Sequence, residues 1–187
     1  MGLRGRNNLT NCTCFFITTT VFNFRKIFQD NYSCQLLIEN IKHYQNKYNF
    51  SLHAYVIMPS HFHWIVKNNI SYGTISDVMR DIKKYSAWDI MEYLSCKSKN
   101  NKELISEATR GYDPKQKNRF WMERFDDQVI RNDKMFWEKL TYIHNNPVKA
   151  GLVKKPEDYI YSSARNYISG DQTIIEVDTL YPGIIIR

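Results

Sequence analysis

Nothing in these 187 residues is long and apolar enough to cross a membrane, and no apolar run follows Arg4 and Arg6 before the polar stretch 7–13. The expectation is a soluble, cytoplasmic chain without a secretory leader. Cysteine is scarce too: Cys12, Cys14, Cys34 and Cys96 form no Cys-x-x-Cys pair and no second cluster. That excludes a four-ligand zinc centre and reads as reduced thiols, since a Cys12–Cys14 disulfide would close a strained ring. No repeat of solenoid period is present. What is present is apolar and aromatic side chain, 43% and 14% of the residues, enough for a packed core. Basic residues outnumber acidic ones by 26 to 19, giving +7 and a pI near 9.2. Such an excess suits polyanionic partners, although charge alone does not name one. The length fits one domain, with a core over about 14–168, peripheral segments at 1–12 and 170–187, and a basic excursion over 97–119.

The pattern along the chain predicts alternating elements. Cys14 to Val21 is dense in β-branched and aromatic residues and predicts a strand. Cys34, Leu37, Ile38, Ile41 and Tyr44 recur at helical steps and predict a helix over about 31–47. Leu52–Met58 and His61–Lys67 predict a hairpin broken at Pro59-Ser60. Thr74 can cap the next helix, with Asp77 near its positive end. Phe125 to Ile130 predicts a short strand, and Asp133 opens a helix running towards Pro147. This order builds an α+β, ferredoxin-like (RRM-like) sandwich: an antiparallel sheet with helices on one face, plus a C-terminal helix.

Two local features carry chemistry. The first is Met58-Pro59-Ser60-His61-Phe62-His63-Trp64. Strand side chains two apart share a face, so His61 and His63 stand together while Phe62 and Trp64 turn towards the helices. Two neutral imidazoles with oxygen ligands suit a divalent ion that polarises a phosphate. A His-x-His pair alone is equally a solvated strand face. The second is Tyr142-Ile-His-Asn-Asn146-Pro147, in which Tyr142 and Asn146 lie one helical turn apart. A tyrosine hydroxyl, with a pKa near about 10, needs a neighbouring cation or proton acceptor to attack at neutral pH. The amide oxygen of Asn146 suits a hard metal ion. Equally, Tyr142 could pack on the sheet, with Asn145 and Asn146 as turn residues before Pro147.

Taken together these motifs resemble the HUH single-tyrosine transposases of the insertion-sequence-200-like group, and among them the REP-associated tyrosine transposases. Met58 to His63 resembles the family's strand motif, with Phe62 as its hydrophobic centre, and Tyr142 to Val153 resembles its tyrosine helix. Phe120 to Phe125, Val129 to Arg131 and the tail Pro156 to Ser163 extend the likeness, which runs from about Phe15 to Tyr167. Ser60 departs from the Asn or Glu frequent in the family, and 97–119 is enlarged. The resemblance implies Tyr142 as nucleophile, His61 and His63 as ligands of Mg²⁺ or Mn²⁺, and Asn146 completing or supporting the site. It implies cleavage and rejoining of single-stranded DNA at hairpin-forming repeats through a 5′-phosphotyrosine link, in a bacterial, nucleoid-associated protein acting as a monomer or homodimer.

For DNA contacts, charge points to Arg80, Lys83, Lys84, Lys115, Lys117, Arg119 and Arg131, and aromatic character to Trp121 as a base-stacking residue. A solvated helix face and a core tryptophan are the plain alternatives. His43, His53 and His144 read as structural or surface residues. Competing functions are a non-catalytic ferredoxin-like binder of single-stranded nucleic acid, a replication-initiator or relaxase nuclease, and a domesticated HUH nuclease.

Overall fold

Two interlocked β-α-β units form the framework of the computed structural model, which describes residues 14–97 and 119–180. The elements are β1 (Cys14–Thr20), α1 (Asn31–Tyr48), β2 (Ser51–Met58), β3 (His61–Lys67), α2 (Ile75–Lys97), β4 (Asp126–Val129), α3 (Asp133–Lys149) and the short α4 (Ala164–Ser169). Hydrogen bonds order the strands β2-β3-β1-β4, every pair antiparallel. That is the ferredoxin-like arrangement the element order predicts.

Local chemistry sets the boundaries. Asp30 caps α1 by accepting from the Ser33 amide, and Asn49 ends it in the left-handed region at φ 47°. Thr74 and Asp77 bond reciprocally across the first turn of α2, each accepting from the other's backbone amide. Asn132 caps α3 through the Met135 amide. This helix continues past Pro147 to Lys149, because a proline so near the C-terminus removes only one late hydrogen bond.

Strand parity divides the core. Phe15, Ile17, Phe62, Trp64 and Val66 face α1 and α2, whereas Cys14, Phe16, Ala54, Val56 and Ile65 face α3. In β2 the register shifts between Leu52 and Ala54, leaving His53 as the extra residue of a bulge. The face bearing His61 and His63 is therefore only half open. α3 packs over β2 and β3, while Thr18, Thr20, Asp126 and Gln128 on the β1–β4 half stay partly or fully exposed. Asp126 pairs opposite Thr18 and Gln128 opposite Phe16, which sets them on this same face.

After α3 the chain closes the free edge of β2. The Ile57 amide donates to the Tyr161 carbonyl at 2.9 Å, the Ser163 amide to Tyr55 at 2.9 Å and the Asp178 amide to Leu52 at 2.8 Å. The expectation that 170–187 is peripheral is corrected for its first part: Ile175 and Val177 are buried in the main core, held there by apolar alternation beside Asp178. Most of the basic excursion 97–119 lies outside the described residues.

Candidate active site

The hairpin turn at Pro59-Ser60 sets His61 opposite both Met58 of β2 and Thr20 of β1. Its neighbour His63 pairs with Thr18, and the two imidazole centroids lie 4.8 Å apart. His63 Nδ1 is 2.8 Å from the Thr18 hydroxyl, and its ring stacks on Phe16 at 5.7 Å with a 16° tilt. His61 Nδ1 meets the Ser60 hydroxyl at 3.2 Å, so the serine that departs from the family pattern still orients this ring. Burial holds the basicity of both rings below normal. For His63, pushed down to about 3, the His61 and Lys139 charges add to the effect. Both rings are thereby kept neutral at physiological pH, the form that can ligate a metal.

α3 brings Tyr142 to this pair. Its ring lies 5.2 Å from His63 and 5.9 Å from Phe16, edge-on to each, and it remains 41% exposed. The hydroxyl-bearing residue is thus accessible beside the histidines within one chain. Asn146, one turn further along, is half-buried, and its side-chain amide makes no hydrogen bond among the described residues.

Do these residues fit a divalent ion? His63 Nε2 is buried without a hydrogen-bond partner among the described residues, while Nδ1 is held by Thr18. With the proton on Nδ1, the Nε2 lone pair is left free, as in metal-ligating histidines steadied from behind. No cluster of three or more His, Cys, Asp or Glu exists among the described residues; Asn146, one helical turn from Tyr142, offers an amide oxygen as a candidate further donor. The donor set, two imidazoles with an amide oxygen, fits Mg²⁺ or Mn²⁺.

The residues proposed from charge for DNA contact scatter. Arg80 is paired with Asp77 at 2.7 Å and Asp81 at 3.0 Å along α2. Lys83 donates to the Met122 and Glu123 carbonyls at 2.8 and 3.0 Å, and burial lowers its pKa to about 8, so it works as a strut fastening 122–125 to α2. Lys84 is exposed over the Tyr85 ring, on the helix that covers the opposite sheet face from the histidines. Arg119 lies over Phe22 and donates to the Trp121 carbonyl. Arg131 is exposed just after Ile130, whose amide binds Cys14, at the far end of β1 from His61. Lys115 and Lys117 lie outside the described residues. Trp121 requires a correction. It is only 5% exposed, packs against Phe28, Phe62 and Phe120, and donates from Nε1 to Ser86, so it belongs to the core and offers no stacking surface. His53 and His144 are structural: they bind the Asp178 carbonyl and the Ser163 hydroxyl at 2.9 Å each.

Three residues at the site escaped the sequence reading. Thr18 needed the β1–β3 register to be seen. Lys139 and Lys149 were visible in principle, because Lys139, Tyr142, Asn146 and Lys149 follow three-, four- and three-residue steps that put them on one stripe of α3.

The family model described as "Transposase IS200 like" matches residues 9–146. Among curated relatives, the REP-associated tyrosine transposase of Escherichia coli K12 is 29% identical over 114 residues, 61% of this chain and 54% of the relative. A second relative, from Haemophilus influenzae, is 30% identical over 122 residues, 62% of this chain and 60% of its own length. The chain thus matches little more than half the length of these relatives. A solved REP-associated tyrosine transposase bound to a REP hairpin superposes with a TM-score of 0.62 at 25% identity, covering 94% of this chain and 92% of that one.

Proposed function

Because the chain belongs to the IS200-like transposase family, we propose that it cleaves and rejoins single-stranded DNA, with Tyr142 as the nucleophile. The observation that carries this reading is the Tyr142 ring, exposed and 5.2 Å from His63 on a half-open sheet face. The likeness to a relative solved with a REP hairpin supports hairpin-forming repeats as the substrate class.

His61, His63 and Asn146 would hold Mg²⁺ or Mn²⁺. What such an ion supplies when bound is Lewis acidity toward a non-bridging phosphate oxygen. Thr18 and Ser60 fix the imidazole planes, and Phe16 packs flat against His63 so that the ring cannot tip away. Tyr142 reaches the phosphorus from α3. Its oxygen forms a bond to phosphorus as the bond to the 3′ oxygen breaks; the phenol loses its proton and the departing oxygen leaves as a 3′-hydroxyl. One phosphodiester is exchanged for another, so rejoining to a second end consumes no nucleotide cofactor.

The test is an SDS-stable adduct between the full chain and a 3′-labelled hairpin-bearing single strand in Mg²⁺ or Mn²⁺. The wild type is expected to retain the label. Tyr142→Phe is expected to lose it, as are chelator treatment and the His61→Ala, His63→Ala double variant. An adduct that persists in Tyr142→Phe would overturn the assignment.

A further inference from the structure

Lys139 and Lys149 stand on the stripe of α3 that carries Tyr142 and Asn146, one on each side of the tyrosine. The half-buried Lys139 places its Nζ 4.7 Å from the centre of the Phe16 ring, the ring that stacks on His63. Lys149 places its Nζ 5.9 Å from the Tyr142 ring centre. Neither ammonium makes an ion pair among the described residues. The register places one carboxylate, Asp126 opposite Thr18, on this sheet face, and it bonds neither lysine. Two uncompensated cations beside a pair of imidazoles oppose each other and oppose any metal ion held there. That arrangement is favourable once an anion enters between them.

We propose that Lys139 and Lys149 grip the DNA backbone on either side of the phosphate that Tyr142 attacks. The stripe gives the reason for two lysines rather than one. At about 1.5 Å rise per residue, Lys139 lies roughly one turn before Tyr142 and Lys149 roughly two turns after it. A strand laid along α3 on the open β1–β4 half then meets a cation on each side of the reacting phosphate. The Phe16 ring face holds the Lys139 ammonium by a cation–π contact beside His63, without a carboxylate to neutralise it. The inference rests on the function proposed above, but it predicts binding behaviour that can be read without cleavage.

The experiment uses the full chain carrying Tyr142→Phe and a fluorescent thymidine 20-mer, with the logarithm of affinity followed against the logarithm of salt. Each of Lys139→Met and Lys149→Met is expected to flatten the slope by about 0.7, the single-strand value for one phosphate contact. Lys139→Arg and Lys149→Arg are expected to keep the wild-type slope. Lys42→Met, on an exposed position of α1 beyond the opposite sheet face, is expected to leave it unchanged. An unchanged slope in the double Met variant with a native melting curve would overturn the proposal, as would an equal flattening in Lys42→Met. Should Lys139→Met not fold, Lys149→Met, at an exposed helix end, decides alone. Flattened slopes in a chain whose wild type forms no adduct leave the grip standing and remove the transposase reading; an adduct with unaltered slopes does the reverse.

Discussion

At the scale of single residues, the site depends on how His63 is held. A lone imidazole on a strand can rotate about its bond to Cβ, and a ligand that rotates binds a metal weakly. Here Thr18 holds Nδ1 from the adjacent strand and Phe16 lies flat along the ring, so one ring orientation is favoured. Thr18→Val keeps the β-branched shape and removes only the oxygen. We expect Mn²⁺ affinity to fall by about 10–100-fold with little change in melting temperature, measured by calorimetric titration of the Tyr142→Phe chain. Unchanged affinity would mean that Thr18 does not set the ring. Trp121 makes the opposite case. Buried and bonded to Ser86, it should contribute stability and not DNA affinity. Trp121→Ala is expected to cost about 3–5 kcal/mol by denaturant titration, and the more conservative Trp121→Phe to fold and bind oligonucleotide like the wild type. Weakened binding in a stable Trp121→Phe would restore it as a contact residue.

At the scale of elements, the tail that closes β2 is pinned at the bulge. His53 is fully buried, binds the Asp178 carbonyl through Nδ1 and has no hydrogen bond to Nε2 among the described residues, and Tyr167 donates to the His53 carbonyl. Burial lowers the pKa of His53 below its usual 6.5 despite that carbonyl bond. The unfolded chain therefore takes up a proton below about pH 6.5 that the folded chain refuses. Stability from this group is complete above that value and falls as the pH drops towards the lowered one. His53→Gln should melt with a shallower pH dependence than the wild type between pH 6.5 and 5, by up to about 1.4 kcal/mol per pH unit; parallel curves would discount His53. The elements themselves were legible. Seven elements follow from periodicity and caps, because burial on one side writes its period into the chain. The tail's use of Ile175 and Val177 was not, since the partner edge they cover is more than a hundred residues away in sequence. The histidine pair and Tyr142 were recognisable as motifs, whereas Thr18 needed a strand register that residue pattern does not carry. The core role of Trp121 is not legible, because an aromatic flanked by Arg119 and Arg124 looks the same in sequence whether it stacks on a base or fills a core.

At the scale of the whole molecule, what matters is that the histidines and the tyrosine come from distant parts of one chain. α3 could in principle be donated to a second copy, with each site completed by a partner's tyrosine. Its two ends oppose this. Just before it, the Ile130 amide binds Cys14 and β4 is paired to β1. Just after it, Tyr159 donates to the Ile57 carbonyl, and the backbone of Tyr161 and Ser163 is bonded to β2. Exchanging the helix would require giving up contacts on both flanks as well as the burial of Phe136, Leu140 and Ile143 against the sheet. Each chain is therefore expected to act with its own Tyr142. Mixing Tyr142→Phe with the His61→Ala, His63→Ala double variant should restore no covalent adduct, even after co-expression, and wild-type adduct formation per chain should not depend on protein concentration at saturating DNA. Adduct recovered in the mixture, carried by the chain that retains Tyr142, would show that the helix crosses between copies. The geometry within the single chain would then describe only one of two arrangements of the same site.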